Sequence, residues 1–550
     1  MKAASQGLHA PLAGEVSNAE DYFSEAAKQL LKFHGMYQQH DRDQDGPKTH
    51  SFMIRTKVPG GQLSAAQYLA HDRISSDFGN ETLRLTTRQC IQFHGILKGD
   101  LRDSIRTLHN VLITTLGACG DIVRNVMACP VPSTDPRRRA AQAFADELTL
   151  ALFPQTRAYH QIWLDGEALI DETPLDEPLY GPTYLPRKFK IGIALPEDNC
   201  VDVYTQDIGL VALFDGAETL AGFNLLVGGG MGKTHKMETT FARLADLIGF
   251  VTPDQVIETC RAIVTIHRDF GDRENRKHAR LKYVLHEWGV ERFKAELQQR
   301  LSFTLQPPRP MPTLRNVDHL GWNAQGDGRW FLGLPIENGR ILDESSKQLR
   351  LGLRTTLERF DLGVRLTPQQ NILLTDIVEA DRPTIEALLY EYNIQTIEQI
   401  SPVRRLALAC PALPTCGLAI AEAERISPQL ITEFEQLLDD TGLVGEPIVI
   451  RMTGCPNGCA RPYVAEIAFV GRSKEKYTIY LGGSFDGERL AVEFLDLVHA
   501  DDLVPVLAPV LRDYHAHRQT GERFGDYVYR AGIDTLRALV PQPVGEAVGD

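Results

Sequence analysis

Apolar side chains recur at helical spacing from Asp21-Tyr22-Phe23 through Leu31, so the first ordered region is expected to begin near Ala19 with a helix. The charged, turn-rich stretch Asp41–Lys48 predicts a loop. Ser51 to Val58 alternates as a strand does, and Pro59-Gly60-Gly61 ends it. A helix over Ala65–Phe78 and a second strand over Leu83–Phe93 complete a small α+β unit whose two strands both carry arginines. Further on, Ile191–Leu195 is an apolar strand and Val251–Leu301 turns helical and highly charged. Tyr463–Phe469 and Tyr477–Leu481 are expected to be strands, and Val492 to Leu511 helical.

The pattern repeats. Arg84-Leu85-Thr86-x2-Gln89-x-Ile91-x4-Ile96 recurs as Arg365-Leu366-Thr367-x2-Gln370-x-Ile372-x4-Ile377, and the same offset carries Arg124 to Arg405 and Cys129-Pro130 to Cys410-Pro411. Two copies of one α+β unit, in a pseudo-twofold arrangement and not a solenoid, are the simplest account. A proline-rich segment, Gln306-Pro307-Pro308-Arg309-Pro310-Met311-Pro312, marks the boundary to the second half.

A chain of 550 residues exceeds a single core, so several packed units are expected. The net charge of −14 argues against a nucleic-acid-binding surface and fits a small basic site inside an acidic shell. No apolar run reaches membrane-spanning length, and Met1 to Asn18 lacks the basic start and apolar core of a secretory signal, so a cytoplasmic protein is expected.

The chemistry concentrates in cysteines. Cys410-Pro411-Ala412-Leu413-Pro414-Thr415-Cys416 and Thr453-Gly454-Cys455-Pro456-Asn457-Gly458-Cys459-Ala460-Arg461-Pro462 place four thiols in two close pairs, Cys-x5-Cys and Cys-x3-Cys. Thiolates are soft ligands and one short loop supplies part of a coordination shell, so a metal or iron–sulfur centre is indicated. Zinc fits poorly, because its cysteine pairs are usually separated by two to four residues. Disulfides fit an acidic, signal-less chain badly, and four inert buried thiols are the remaining alternative. In the first copy Asp135 stands where Cys416 stands in the second, so only the second half can hold such a centre. Cys90, Cys119, Cys129, Cys200 and Cys260 are taken as lone, buried and inert.

Cations are the second concentration. In Tyr184-Leu185-Pro186-Arg187-Lys188-Phe189-Lys190, strand alternation sends Lys188 and Lys190 to one face, a pairing that suits an anion or a lysine-protected edge strand. Gly228-Gly229-Gly230-Met231-Gly232-Lys233-Thr234 fails as a phosphate loop, because Val227 occupies the position where the first glycine is needed. It is expected to be a tight strand-to-loop turn. No strand-to-helix Gly-x-Gly-x-x-Gly is present, so NAD(P)H and flavin, if used, belong to another protein.

These motifs, in fixed order from Lys32-Phe33-His34-Gly35-Met36-Tyr37-Gln38-Gln39 to Phe524-Gly525-Asp526, resemble the sirohaem and [4Fe–4S] assimilatory sulfite reductases of the nitrite/sulfite reductase family. The resemblance implies a duplicated α+β fold: a ferredoxin-like half-domain with an N-terminal arm at 19–115, a sirohaem-binding domain without cluster ligands at 116–309, a second half-domain at 310–395, and a cluster and sirohaem domain at 396–540. It implies six-electron reduction of sulfite to sulfide. Sirohaem nitrite reduction, or a non-catalytic metal-binding scaffold, is the alternative.

By the same resemblance Cys410, Cys416, Cys455 and Cys459 bind the cluster, and Cys459 also bridges to the sirohaem iron. Arg84, Arg88, Gln92, Arg187 and Arg280 hold the sirohaem carboxylates, while Arg55, Arg124, Lys188 and Lys190 grip sulfite. The electron donor it implies is a ferredoxin or an NADPH-dependent flavoprotein subunit, with Gly229–His235 and Ala460–Tyr463 closer to the ferredoxin branch. Partners among nucleic acids or membranes are not expected.

Overall fold

Two short sheets carry the repeat, and each is completed by a strand from the other copy. The computed structural model describes residues 2–5, 7–43, 46, 48–155, 163–164, 167–168, 177–216 and 218–541; positions 44, 45 and 47 of the expected Asp41–Lys48 loop lie outside them. The chain divides into two units, Met1–Gly230 with Arg243–Ile397, and Met231–Ala242 with Glu398–Asp550.

In the first unit, Met36–Gln39, Ser51–Arg55, Ile91–Ile96 and Leu83–Leu85 pair in that order, and Arg340–Ile341 closes the edge beside Leu83–Leu85. The second sheet repeats the order with Gly321–Ala324, Arg329–Leu334, Ile372–Val378 and Gly363–Leu366, closed by Gln62–Leu63. Helices Ala65–Asp77 and Leu349–Arg359 occupy matching places in the two copies. Buried Asp72 on the first accepts from Arg350 on the second at 2.6 Å. One hydrophobic core runs through both sheets, from Phe23, Phe52 and Phe93 to Leu332, Leu374 and Ile377.

The expected single strand Leu83–Phe93 is two antiparallel strands, with Arg84 opposite Gln92. The reversal occurs at Gln89, whose backbone is left-handed (φ 52°), as is that of Gln370 (φ 66°) in the second copy. Side-chain amides offset this conformation. Gln89 Nε2 donates to the carbonyls of Gly60, Ala128 and Leu366, and Gln370 Nε2 to those of Asn338 and Leu85, so each turn is stitched to the opposite copy.

A second core in this unit surrounds a four-stranded sheet, ordered Asp246–Val251, Thr219–Val227, Ile208–Asp215 and Ile191–Ala194, with helices Pro136–Ala151, Val256–Phe270 and Leu281–Gln298. Helical turns at Ala3–Ser5 and Leu12–Glu15 precede the expected start of order near Ala19, and the helix expected from Asp21 is shorter than its periodicity suggests. It spans Glu25–Leu31, because Ser24 caps it by accepting the Ala27 N–H.

The second unit is built on a five-stranded sheet, Leu408–Ala409, Ile450–Thr453, Ile467–Ser473, Lys476–Leu481 and Val492–His499, the first three parallel. Expected as helix, Val492–His499 instead pairs with Lys476–Leu481 as the edge strand. Helix returns only at Ala508–His517. Tertiary pairing overrides a local pattern that fits either period.

Candidate active site

Both cysteine pairs leave the carboxyl ends of neighbouring parallel strands. Leu408 pairs with Arg451 and Ala409 with Met452, so Cys410 and the Gly454-Cys455 turn emerge side by side. Glycine is required at 454, where a Cβ would sit 2.3 Å from the Ala421 carbonyl oxygen and 2.6 Å from the Ala412 Cβ. Its N–H points at Cys410 Sγ, 3.4 Å away, and Asn457 Nδ2 donates to Cys455 Sγ at 3.4 Å.

Cys410 and Cys455 are buried, Cys416 is half-buried and Cys459 exposed. Burial and the neighbouring thiols push Cys455 up to about 11 and Cys410 well above the ordinary thiol range, so thiolates here need a cationic centre. Met231–Ala242 belongs to this unit. Lys233 N–H donates to the Pro456 carbonyl at 2.8 Å, and its ammonium lies over the Tyr463 and Tyr480 rings. This lysine packs on aromatic side chains of the cluster domain, as expected of a loop that is not a phosphate cradle.

The cations gather in the first unit. Arg55 lies opposite Gln92, Gln92 opposite Arg84, and Arg84 opposite Arg340, a row across four adjacent strands. Arg55 Nη2 and Nε donate to Gln92 Oε1 at 2.8 and 3.2 Å, and Nη1 to Cys119 Sγ at 3.4 Å. Arg340 escaped the sequence reading, since only the strand exchange brings it here. Burial pushes its guanidinium down to about 10, the mark of a cation short of solvent. Arg124 is buried and anchored by the carbonyls of Gly120 and Ala118 at 2.8 and 3.3 Å.

Lys188 and Lys190 are half-buried while Phe189 between them is fully buried, as alternation predicts. The Lys190 N–H donates to Asp207, whose buried carboxylate also takes Arg280 at 2.8 Å. Arg280 is therefore matched within the protein, and it positions the carboxylate that fixes Lys190. Arg88 turns into the scaffold, donating to Gln206 Oε1 at 2.6 Å and the Asn125 carbonyl at 3.1 Å. Arg187 is lowered by burial and then by the nearby Arg276 cation.

All five remaining cysteines are buried, but two are not lone. Cys129 and Cys200 converge with Asp198 and His319, whose ligand atoms all lie within 4.8 Å of one another. The long sequence separations of these residues left no local signal.

Comparison with known proteins finds two family models, each matching the chain twice. The model described as "Nitrite and sulphite reductase 4Fe-4S domain" matches residues 145–305 and 404–548, and "Nitrite/Sulfite reductase ferredoxin-like half domain" matches 44–111 and 323–392. The chain is 46% identical to "Sulfite reductase [ferredoxin]" of Synechococcus elongatus over 98% of its own length and 89% of the relative's. To "Sulfite reductase [NADPH] hemoprotein beta-component" of Staphylococcus haemolyticus it is 45% identical, covering 96% and 92%. A solved structure titled "Structure of Mycobacterium tuberculosis NirA protein" superposes with a TM-score of 0.78 at 25% identity, covering 96% of this chain and 95% of that one. Two matched copies of each domain type, and relatives this similar over nearly the whole length, place the chain in the nitrite and sulphite reductase family.

Proposed function

We propose that this protein is an assimilatory sulfite reductase that takes sulfite to sulfide with six electrons. The observation that carries it is the row Arg55, Gln92, Arg84 on neighbouring strands of an acidic chain, in a family whose domain holds a 4Fe–4S cluster. Such a row meets multiply charged anions by fork-like hydrogen bonds.

Cys410, Cys416, Cys455 and Cys459 would hold the cluster, and Cys459 would also serve as a sirohaem ligand. Arg84, Gln92 and Arg187 would meet sirohaem carboxylates, with Arg88 bracing the scaffold through Gln206 and Asn125 and Arg280 acting through Asp207. When bound, the sirohaem and cluster supply a metal for the sulfur of the substrate and an electron store. Arg55 and Arg124 offset the charge of sulfite. Lys188 and Lys190 do the same and donate protons as sulfite oxygens leave as water. Ferredoxin is the donor we propose, on the likeness of Gly229–His235 and Ala460–Tyr463 to that branch.

The test is the visible spectrum of anaerobically purified protein with iron and labile sulfide assayed on the same sample, then turnover of sulfite and nitrite with a reduced viologen. Sirohaem bands, iron in excess of labile sulfide, and sulfide made faster than ammonia are expected. A colourless protein without iron, from cells able to make sirohaem, overturns the reading; faster nitrite turnover replaces sulfite by nitrite. Reduced ferredoxin and an NADPH-fed flavoprotein, compared as donors, decide the last assignment.

A further inference from the structure

Cys129 occupies in the first copy the place that Cys410 occupies in the second, yet the side chains around it come from elsewhere. Asp198 and Cys200 lie on the turn after strand Ile191–Ala194, and His319 precedes strand Gly321–Ala324. Asp198 Oδ2 lies 2.9 Å from Cys129 Sγ and 3.1 Å from His319 Nε2, and Cys129 Sγ lies 3.6 Å from His319 Nε2. All four ligand atoms fall within 4.8 Å of one another, the one such group among the described residues.

We propose that Cys129, Asp198, Cys200 and His319 bind one zinc ion, a site apart from the cluster cysteines. Two thiolates, an imidazole and a carboxylate are a zinc set, and four ligands leave no open position, so the site is structural. With zinc–ligand bonds of about 2.0–2.3 Å, the edges of a tetrahedron of donor atoms are about 3.3–3.8 Å, and the separations of 2.9, 3.1 and 3.6 Å among Cys129, Asp198 and His319 differ from these by fractions of an ångström.

The surroundings orient the set as second-layer groups do. The Cys200 N–H donates to Asp198 Oδ1 at 3.2 Å, and Gln369 Nε2 to the Cys200 carbonyl at 3.4 Å. Arg138 donates to Cys129 Sγ at 2.7 Å and Asp198 Oδ2 at 2.8 Å. It does not compete with the metal. Zinc with two thiolates, a carboxylate and a neutral imidazole carries one negative charge, which the guanidinium offsets. The site would pin the segment entering the second half-domain to the first.

The experiment is elemental analysis of the holoprotein, purified from zinc-containing medium and washed with EDTA, with zinc K-edge absorption on the same sample. One zinc per chain in a shell of two sulfurs and two lighter atoms is expected, and Cys129→Ser with Cys200→Ser should remove the zinc and leave the iron. Zinc below about a tenth per chain, a four-sulfur shell that places it on the cluster cysteines, or zinc unchanged in the double variant overturns the proposal. If the variant loses iron as well, the wild-type absorption shell decides alone, since it identifies the ligands without any substitution.

Discussion

Arg55 is held by Gln92 and Cys119 before any substrate arrives, so its guanidinium is oriented at no cost at the moment of binding. Removing it should weaken sulfite reduction through a lost charge-assisted contact of about 1.5–3 kcal/mol, one to two orders of magnitude in kcat/KM. Arg55→Ala is expected to do this with labile sulfide unchanged, and Arg55→Lys to recover part of it. The cluster cysteines should behave oppositely. Cys455→Ser abolishes labile sulfide, whereas Cys260→Ala, at a buried thiol remote from both sites in sequence, keeps it. Both are checked by acid-labile sulfide and iron assays on purified protein. The cysteine spacing alone singled out two loops that the fold sets at the ends of neighbouring parallel strands. The Cys129 group was not, because Asp198 and His319 reach it from distant segments.

At the scale of elements, the glutamine turns are the joints of the repeat. Gln89→Ala strips three buried carbonyls of their donor and Gln370→Ala strips two, so each should cost about 1–3 kcal/mol of unfolding free energy. The readout is tryptophan fluorescence during urea unfolding, since Trp288, Trp322 and Trp330 belong to the first unit. The duplication itself was visible in the sequence as Arg84-Leu85-Thr86 against Arg365-Leu366-Thr367. The exchange of strands was not, since Gln62–Leu63 and Arg340–Ile341 are only two residues each and carry no period of their own. Leu83–Phe93 misled for a related reason: a left-handed Gln89 leaves no glycine to announce the turn.

For the whole molecule, acid sensitivity follows from four histidines buried in the first unit. Burial lowers His34, His71 and His267 to about 4, and His94 well below its ordinary value, with Arg340, Arg84 and Arg55 adding to the effect on His94. Each binds its proton more weakly folded than unfolded. Between about pH 6.5 and 4 the unfolded chain therefore holds more protons, and stability falls as pH falls, by about 1.4 kcal/mol per pH unit for each histidine. The urea midpoint followed by tryptophan fluorescence should drop steeply from pH 7 to 4.5 and stay level from pH 7 to 8 as far as these groups are concerned. His71→Gln should reduce the slope by one proton. The chain's net charge of −14 announced none of this, because the decisive groups are neutral.

The exchanged strands also set a schedule for biosynthesis. The edge at Leu83–Leu85 is covered only by Arg340–Ile341, so a growing polypeptide exposes that edge until the later segment has left the ribosome. At about 5–20 residues per second this interval lasts on the order of tens of seconds. Throughout it the nascent protein carries an open β-edge beside apolar Leu83 and Leu85, the kind of surface that holdase chaperones shield and that crowded, overexpressing cells leave to aggregate.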